Sequence, residues 1–156
     1  MHYIRAVDGV VSRAAVASGA EGAAVVPVHD GLFDAGPPAH LLGSACDSCG
    51  LLSFPRVERC GYCGEVDSRP VNLPATGRLW AWTAVTTAPP GYRGAVPFGF
   101  GVVELDAGPR VVGRLTEPDP DRLRAHQPME TVVVTLHTGD DGQVVTTYAF
   151  APTVPA

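Results

Sequence analysis

The chain has 156 residues, 46% of them hydrophobic and 17% charged, which is enough apolar material for one ordinary domain or two small modules. Its 18 glycines and 15 prolines argue for short strands joined by turns, and coiled-coil and collagen-like readings fall away. All eleven basic residues are arginine and the net charge is −5, so Schiff-base chemistry on a lysine is excluded and a broad basic groove for phosphate backbones is not expected.

Three regions separate by composition. Residues 1–39 are rich in Ala, Gly and Val, with a short helical stretch expected from Ser12 to Ser18 before Gly19 and little else specified. Asp8, Arg13 and Glu21 break up the apolar start, and no run reaches the ~18 apolar residues of a membrane span. A cytoplasmic protein with no membrane partner is the expectation. Residues 40–70 hold every cysteine and close on the polar linker Asp67-Ser68-Arg69-Pro70.

Residues 71–152 read as five strands rich in aromatic and β-branched side chains: Gly77–Thr87, Phe98–Leu105, Pro109–Thr116, Met129–Thr138 and Gln143–Phe150. The joints carry turn chemistry, with a Pro/Gly loop over Ala88–Pro97, then Asp106-Ala107-Gly108, then Gly139-Asp140-Asp141-Gly142. Between the third and fourth strands, Pro118–Ala125 predicts a single helical turn with Asp119 as N-cap and Pro120 at the first helical position. Five strands with one short helix in that place suit a small Greek-key barrel of the OB type. An immunoglobulin-like sandwich would want about seven.

The sharpest signal is Cys46-Asp-Ser-Cys49-Gly50, followed after residues 50–59 by Cys60-Gly-Tyr-Cys63-Gly64. Two residues between cysteines let a tight turn aim both sulfurs at one point. Gly50 and Gly64 are placed to take the left-handed conformation that directs backbone N–H groups toward sulfur. The intervening Leu51–Arg59 is expected to run out and back as a short hairpin that brings the two knuckles together. Four thiolates in a closed tetrahedral site select zinc or iron, and a zinc with no open position is structural rather than catalytic. Two redox-active or disulfide-bonded pairs are the competing reading, disfavoured in a reducing compartment.

An ordered set of further motifs surrounds the cysteines: Leu42-Gly43 before the first knuckle, Phe54-Pro55-Arg56 between the two, and Gly77-x-Leu79-Trp80-x-Trp82-Thr83 after them. Pro97-Phe98-Gly99 through Val103-Glu104-Leu105 and Val112-Gly113-Arg114-Leu115 complete it. Over about residues 40–151 the chain resembles the DUF35 family, acyl-CoA-associated proteins that join a rubredoxin-like zinc ribbon to an OB-fold domain. The resemblance implies a mainly β chain with the ribbon over 40–70, a five-stranded OB-fold barrel over 71–152, and an N-terminal segment over 1–39. It also implies a non-catalytic accessory subunit with structural zinc. Such a subunit binds acyl-CoA, or a thiolase-like, aldolase or hydratase acyl-CoA enzyme, within a hetero-oligomer. Residues 1–39 depart from the family, which usually has aromatic-bearing helices there; here Gly9, Gly19, Gly22, Gly31 and Gly36 recur and no Trp occurs.

Outside the cysteines, Arg56 and Arg93 are candidates for forked contacts to CoA phosphates, against the plainer reading of solvated surface arginines. Trp80 and Trp82 are expected on one strand face, either as core or as an exposed stacking platform. Tyr92 and Phe98 bracket the Pro/Gly loop and are candidates for touching a ligand or partner. Gly99-Phe100-Gly101 falls inside a strand and is read as close backbone packing rather than a phosphate loop. His2, His29, His40, His126 and His137 are far apart and form no acid–base pair, so catalysis by the chain alone is not expected. A single-stranded nucleic-acid binder and a rubredoxin-like electron carrier remain the alternatives, the first weakened by the net charge.

Overall fold

In the computed structural model, which describes residues 23–106 and 108–153, ten strands follow one another among the described residues. β1 (Val25–Pro27), β2 (Phe33–Asp34) and β4 (Leu52–Ser53) are short, and β3 (His40–Cys46) and β5 (Ser68–Asn72) carry the cysteine module. The five strands expected from sequence are β6 (Thr76–Val85), β7 (Phe98–Leu105), β8 (Arg110–Leu115), β9 (Pro128–Thr138) and β10 (Val144–Pro152). The helix expected over Ser12–Ser18 lies outside the described residues.

β6, β7 and β8 form an antiparallel meander, and β9 and β10 form an antiparallel hairpin. The hairpin closes the barrel because β9 pairs antiparallel with β6 while β10 runs parallel to β8. The barrel is thus five-stranded, closed and of OB type, as expected. β8 reaches β10 only at Ala149 and Phe150. β1 takes up the remaining length of that edge, parallel to Val144–Thr146, and so covers backbone groups that would otherwise be open to pairing.

Period-2 alternation fills the barrel. On β7, Gly99, Gly101, Val103 and Leu105 are buried and the residues between them face out. Gly101 stands directly opposite Gly113; a Cβ on Gly101 would lie 2.5 Å from the Ala81 carbonyl oxygen, and one on Gly113 would lie 2.9 Å from the rings of Phe150 and Tyr148. The G-x-G of this strand is therefore a close-approach device. The expected helical turn is a 3₁₀ turn over Pro120–Arg122, shorter than Pro118–Ala125. Its N–H groups reach back three residues, Arg122 to Asp119 and Leu123 to Pro120, and Leu123 then leaves the turn to enter the core. Asp119 caps it, accepting from the Asp121 N–H at 3.0 Å.

The cysteine module is built on β3, with β4 and β5 both antiparallel to it and meeting it at Ser44. Leu51–Arg59 is accordingly not a hairpin of its own. β4 folds back on β3 and ends at Phe54-Pro55, where proline has no N–H for a ladder. The segment beyond is held to β3 by a side chain, as Ser44 Oγ accepts from the Val57 N–H at 2.9 Å and donates to the Val57 carbonyl at 3.1 Å. Leu41 of β3 and Leu73 just after β5 belong to the same buried cluster as Leu79, Val103, Leu115 and Phe150 of the barrel. Above them Phe33 and Phe54 meet the Tyr148 ring edge-on, at 6.4 and 5.5 Å. Burial pushes the Tyr148 phenol above its ordinary pKa, and its hydroxyl donates to the Val112 carbonyl at 3.0 Å.

Candidate metal centre and the surfaces around it

Cys46 ends β3 and Cys49 follows in the turn toward β4; Cys60 and Cys63 lie in the connection from β4 to β5. Both knuckles close in the same way. Gly50 donates to the Cys46 carbonyl at 2.8 Å and Gly64 to the Cys60 carbonyl at 3.0 Å, and both glycines have positive φ, 74° and 82°. The turns aim N–H groups at sulfur: Cys49 at Cys46, Leu51 at Cys49, Cys63 and Tyr62 at Cys60, and Glu65 at Cys63.

All four Sγ atoms lie within 4.8 Å of one another, the cross-knuckle pairs Cys46–Cys63 and Cys49–Cys60 at 3.5 and 3.7 Å. A disulfide needs about 2.05 Å, and the thiols are free. Four sulfurs each ~2.3 Å from one ion at tetrahedral angles stand ~3.8 Å apart, so the quartet fits zinc. Cys46 and Cys60 are buried while Cys49 and Cys63 face solvent, which leaves a path for an ion to enter.

The thiols do not ionise alike. The Cys63 and Tyr62 N–H groups bring Cys60 down to about 7. At Cys46, Cys49 and Cys63 the N–H groups from Cys49, Leu51 and Glu65 pull downward, but desolvation and the neighbouring thiols leave all three above their ordinary value. Asp67 adds to this at Cys46, whose thiol donates to its Oδ1 at 3.2 Å; the Ser48 hydroxyl and that thiol hold the Asp67 carboxyl low. Metal ligation requires thiolates. Loading with one equivalent of zinc is expected to release up to four protons per ion well below pH 7 and fewer as the pH rises through the thiol range. Calorimetry in buffers of different ionisation enthalpy measures that count.

Arg56 lies with Val25, Pro27, Phe33, Leu42 and Asn72 along a groove of about 540 Å³ between β1 and the cysteine module. It has no ion pair among the described residues. Arg93 pairs with exposed Asp140 at 3.2 Å. Tyr92 and Phe98 stack at 5.2 Å, and Arg114 ties them together, its guanidinium 4.5 Å over the Phe98 ring and donating to the Tyr92 hydroxyl. They line a hollow of about 220 Å³ that shares no residue with the Arg56 groove, so the candidates do not converge on one pocket.

Trp80 and Trp82 do not share a face. A bulge between Leu79 and Ala81 inserts one residue, so Trp80 stays outside while Trp82 turns against the core and donates to the Pro120 carbonyl at 3.0 Å. The Trp80 ring is not a free stacking platform either, for the Arg110 guanidinium sits 3.5 Å from its centroid and His126 meets its edge at 5.7 Å. Sequence reading gave no surface role to Arg110, which covers that ring, nor to the outward Phe100 and Val112. The signal available was their period-2 position, alternating with the buried residues of β7 and β8.

A tetrahedral Cys₄ ribbon packed on a closed OB barrel defines the class, a zinc-ribbon/OB-fold protein. A family model described as the ChsH2 rubredoxin-like zinc ribbon domain matches residues 33–67, and one described as the ChsH2 C-terminal OB-fold domain matches residues 70–135. The chain belongs to the DUF35 family. It is 29% identical to a DUF35 domain-containing scaffold protein of Pyrococcus furiosus over 73% of this chain and 84% of that one. It is 28% identical to the benzoylsuccinyl-CoA thiolase subunit BbsA of Thauera aromatica over 78% and 85%. The solved Ltp2-ChsH2(DUF35) aldolase shares the fold, with a TM-score of 0.58 at 24% identity over 74% of this chain and 86% of that one. No described helix is long and apolar enough to cross a membrane.

Proposed function

We propose that the chain is a non-catalytic accessory subunit that binds an acyl-CoA enzyme of thiolase, aldolase or hydratase type in a cytoplasmic hetero-oligomer, contacts acyl-CoA, and holds zinc as a structural ion. The observation that carries the reading is the likeness to a thiolase subunit along 78% of this chain and 85% of that one. The chemistry of the cysteine site agrees with it, since four protein sulfurs fill the coordination sphere and bound zinc would cross-link the knuckles without a position for water or substrate.

Arg56 is the basic side chain best placed for a CoA phosphate, because its forked donor lines a groove and makes no ion pair among the described residues, although Asp34 lines the same groove. Arg93 is already neutralised by Asp140. Arg56→Ala is expected to leave the melting temperature unchanged and to weaken acyl-CoA binding about tenfold, with Arg93→Ala nearer wild type; calorimetric titration beside a melting curve separates the two effects.

The direct test is co-expression with acyl-CoA thiolases and aldolases of the same organism. A stable complex on size exclusion is expected. If that enzyme fails to co-elute and acyl-CoA fails to bind at high micromolar concentration, the reading is wrong.

A further inference from the structure

We propose that the outer face of the β6–β7–β8 meander is the surface that seats the acyl-CoA enzyme, an apolar centre docking on it while arginines at both ends meet carboxylates of the partner. The inference rests on the functional reading above and goes further by naming the surface and the chemistry of its complement.

Register makes the face continuous. Trp80 and Ala81 stand against Val102, Val102 against Val112, and Phe100 lies between Thr83 and Arg114. Trp80, Phe100 and Val112 are 44%, 40% and 51% exposed, so large apolar side chains on three adjacent strands point at solvent together. At ~4.8 Å between strands and ~3.3 Å per residue the centre covers on the order of 250 Å², the scale of the buried core of a half-interface of ~800 Å². A shallow hollow lined by Ala81, Thr83, Phe100 and Val102 lies within it.

Charge selects the occupant. β6, β7 and β8 carry Arg78, Arg110 and Arg114 against a single carboxylate, Glu104, on a chain of net charge −5. Glu104 is spent on Arg110, at 3.2 Å. Arg78 and Arg114 bond to neutral oxygens, the His126 carbonyl at 3.3 Å and the Tyr92 hydroxyl. Among the described residues neither guanidinium has a carboxylate at ion-pair distance. Arg78 faces the already paired Glu104 in register and Arg114 faces none, one arginine at each end of an apolar strip. A protein surface with an apolar knob and acidic rim complements that pattern. The Trp80 ring is fixed in advance by Arg110 and the bulge, so little side-chain freedom is lost when it is buried, and Trp and Arg are the residue types that most often dominate such interfaces.

The test titrates the full chain, zinc-loaded, against the purified acyl-CoA thiolase or aldolase with which it co-elutes on co-expression. Phe100→Glu and Val112→Glu are each expected to weaken the complex about 30-fold, and Arg78→Glu about tenfold with a flatter salt dependence. Melting temperature and zinc content should be unchanged, because these side chains face solvent. Phe100→Ser serves as the milder variant should the glutamate disturb the barrel. Val66→Glu, at an exposed position of the ribbon, should bind like wild type. Wild-type affinity in the face variants overturns this assignment and leaves the functional reading standing; no complex with the unaltered chain overturns this assignment, and the functional reading with it when acyl-CoA also fails to bind. Self-association of the free chain that Phe100→Glu abolishes would give the face to a second copy. Salt-dependent binding of an oligothymidylate lost in the same variant would give it to nucleic acid. Either result overturns the proposal.

Discussion

Cys60→Ser is expected to abolish stoichiometric zinc and unfold the ribbon. Cys60 is 2% exposed, it is the thiol held most acidic by backbone N–H groups, and its sulfur is 3.7 Å from that of Cys49. Serine keeps the size but offers no thiolate at neutral pH, leaving three soft ligands and a hydroxyl. In closed sites of this kind the free energy of metal binding, ~10–16 kcal/mol, is folding free energy. The module has little else, because β4 contributes only two paired residues and no cluster comparable to the barrel core lies around the knuckles. Elemental analysis should fall from one zinc per chain to near zero, and a chelator should reproduce the effect on the unaltered protein. A ribbon that stays folded without metal, judged by protection of the Ser44–Val57 amide, would remove the structural role of the ion.

What the sequence disclosed follows from which physical signals are local. The four ligands could be read because the spacing of each knuckle encodes its own turn, down to the left-handed Gly50 and Gly64. The barrel strands could be read because alternation over six or more residues survives any tertiary context. β1 and β2, three and two residues long, have no period to detect; they are strands only because β10 and the start of β3 offer open edges. The hairpin expected over Leu51–Arg59 failed for a related reason, since its first half, β4, pairs with β3 rather than with the segment after Pro55. The bulge at Trp80 adds one residue and changes no composition, yet it sends the two tryptophans to opposite sides. Alternation within β7 and β8 marks Phe100 and Val112 as outward residues, but only the pairing register joins them into one face.

Leu41→Ala is expected to destabilise the barrel although Leu41 lies in β3, outside it. The side chain is fully buried in a cluster whose other members come mostly from β6, β7, β8 and β10, and its carbonyl accepts from the Leu73 N–H at 2.9 Å. Truncating such a leucine costs about 2–5 kcal/mol through lost burial and the cavity left behind. Because Leu41 and Leu73 sit beneath the Phe33–Phe54–Tyr148 contacts that roof one end of the barrel, the cavity opens at the junction of the two modules and neither can collapse onto it alone. Trp82 fluorescence reports the barrel and thiol reactivity of Cys49 reports the ribbon. In denaturant both midpoints should move down together with an unchanged m-value, as one cooperative unit requires. A shift in thiol reactivity with the tryptophan transition left in place would mean two cores that fold independently, and the shared-core account of how the ribbon is held against the barrel would fail.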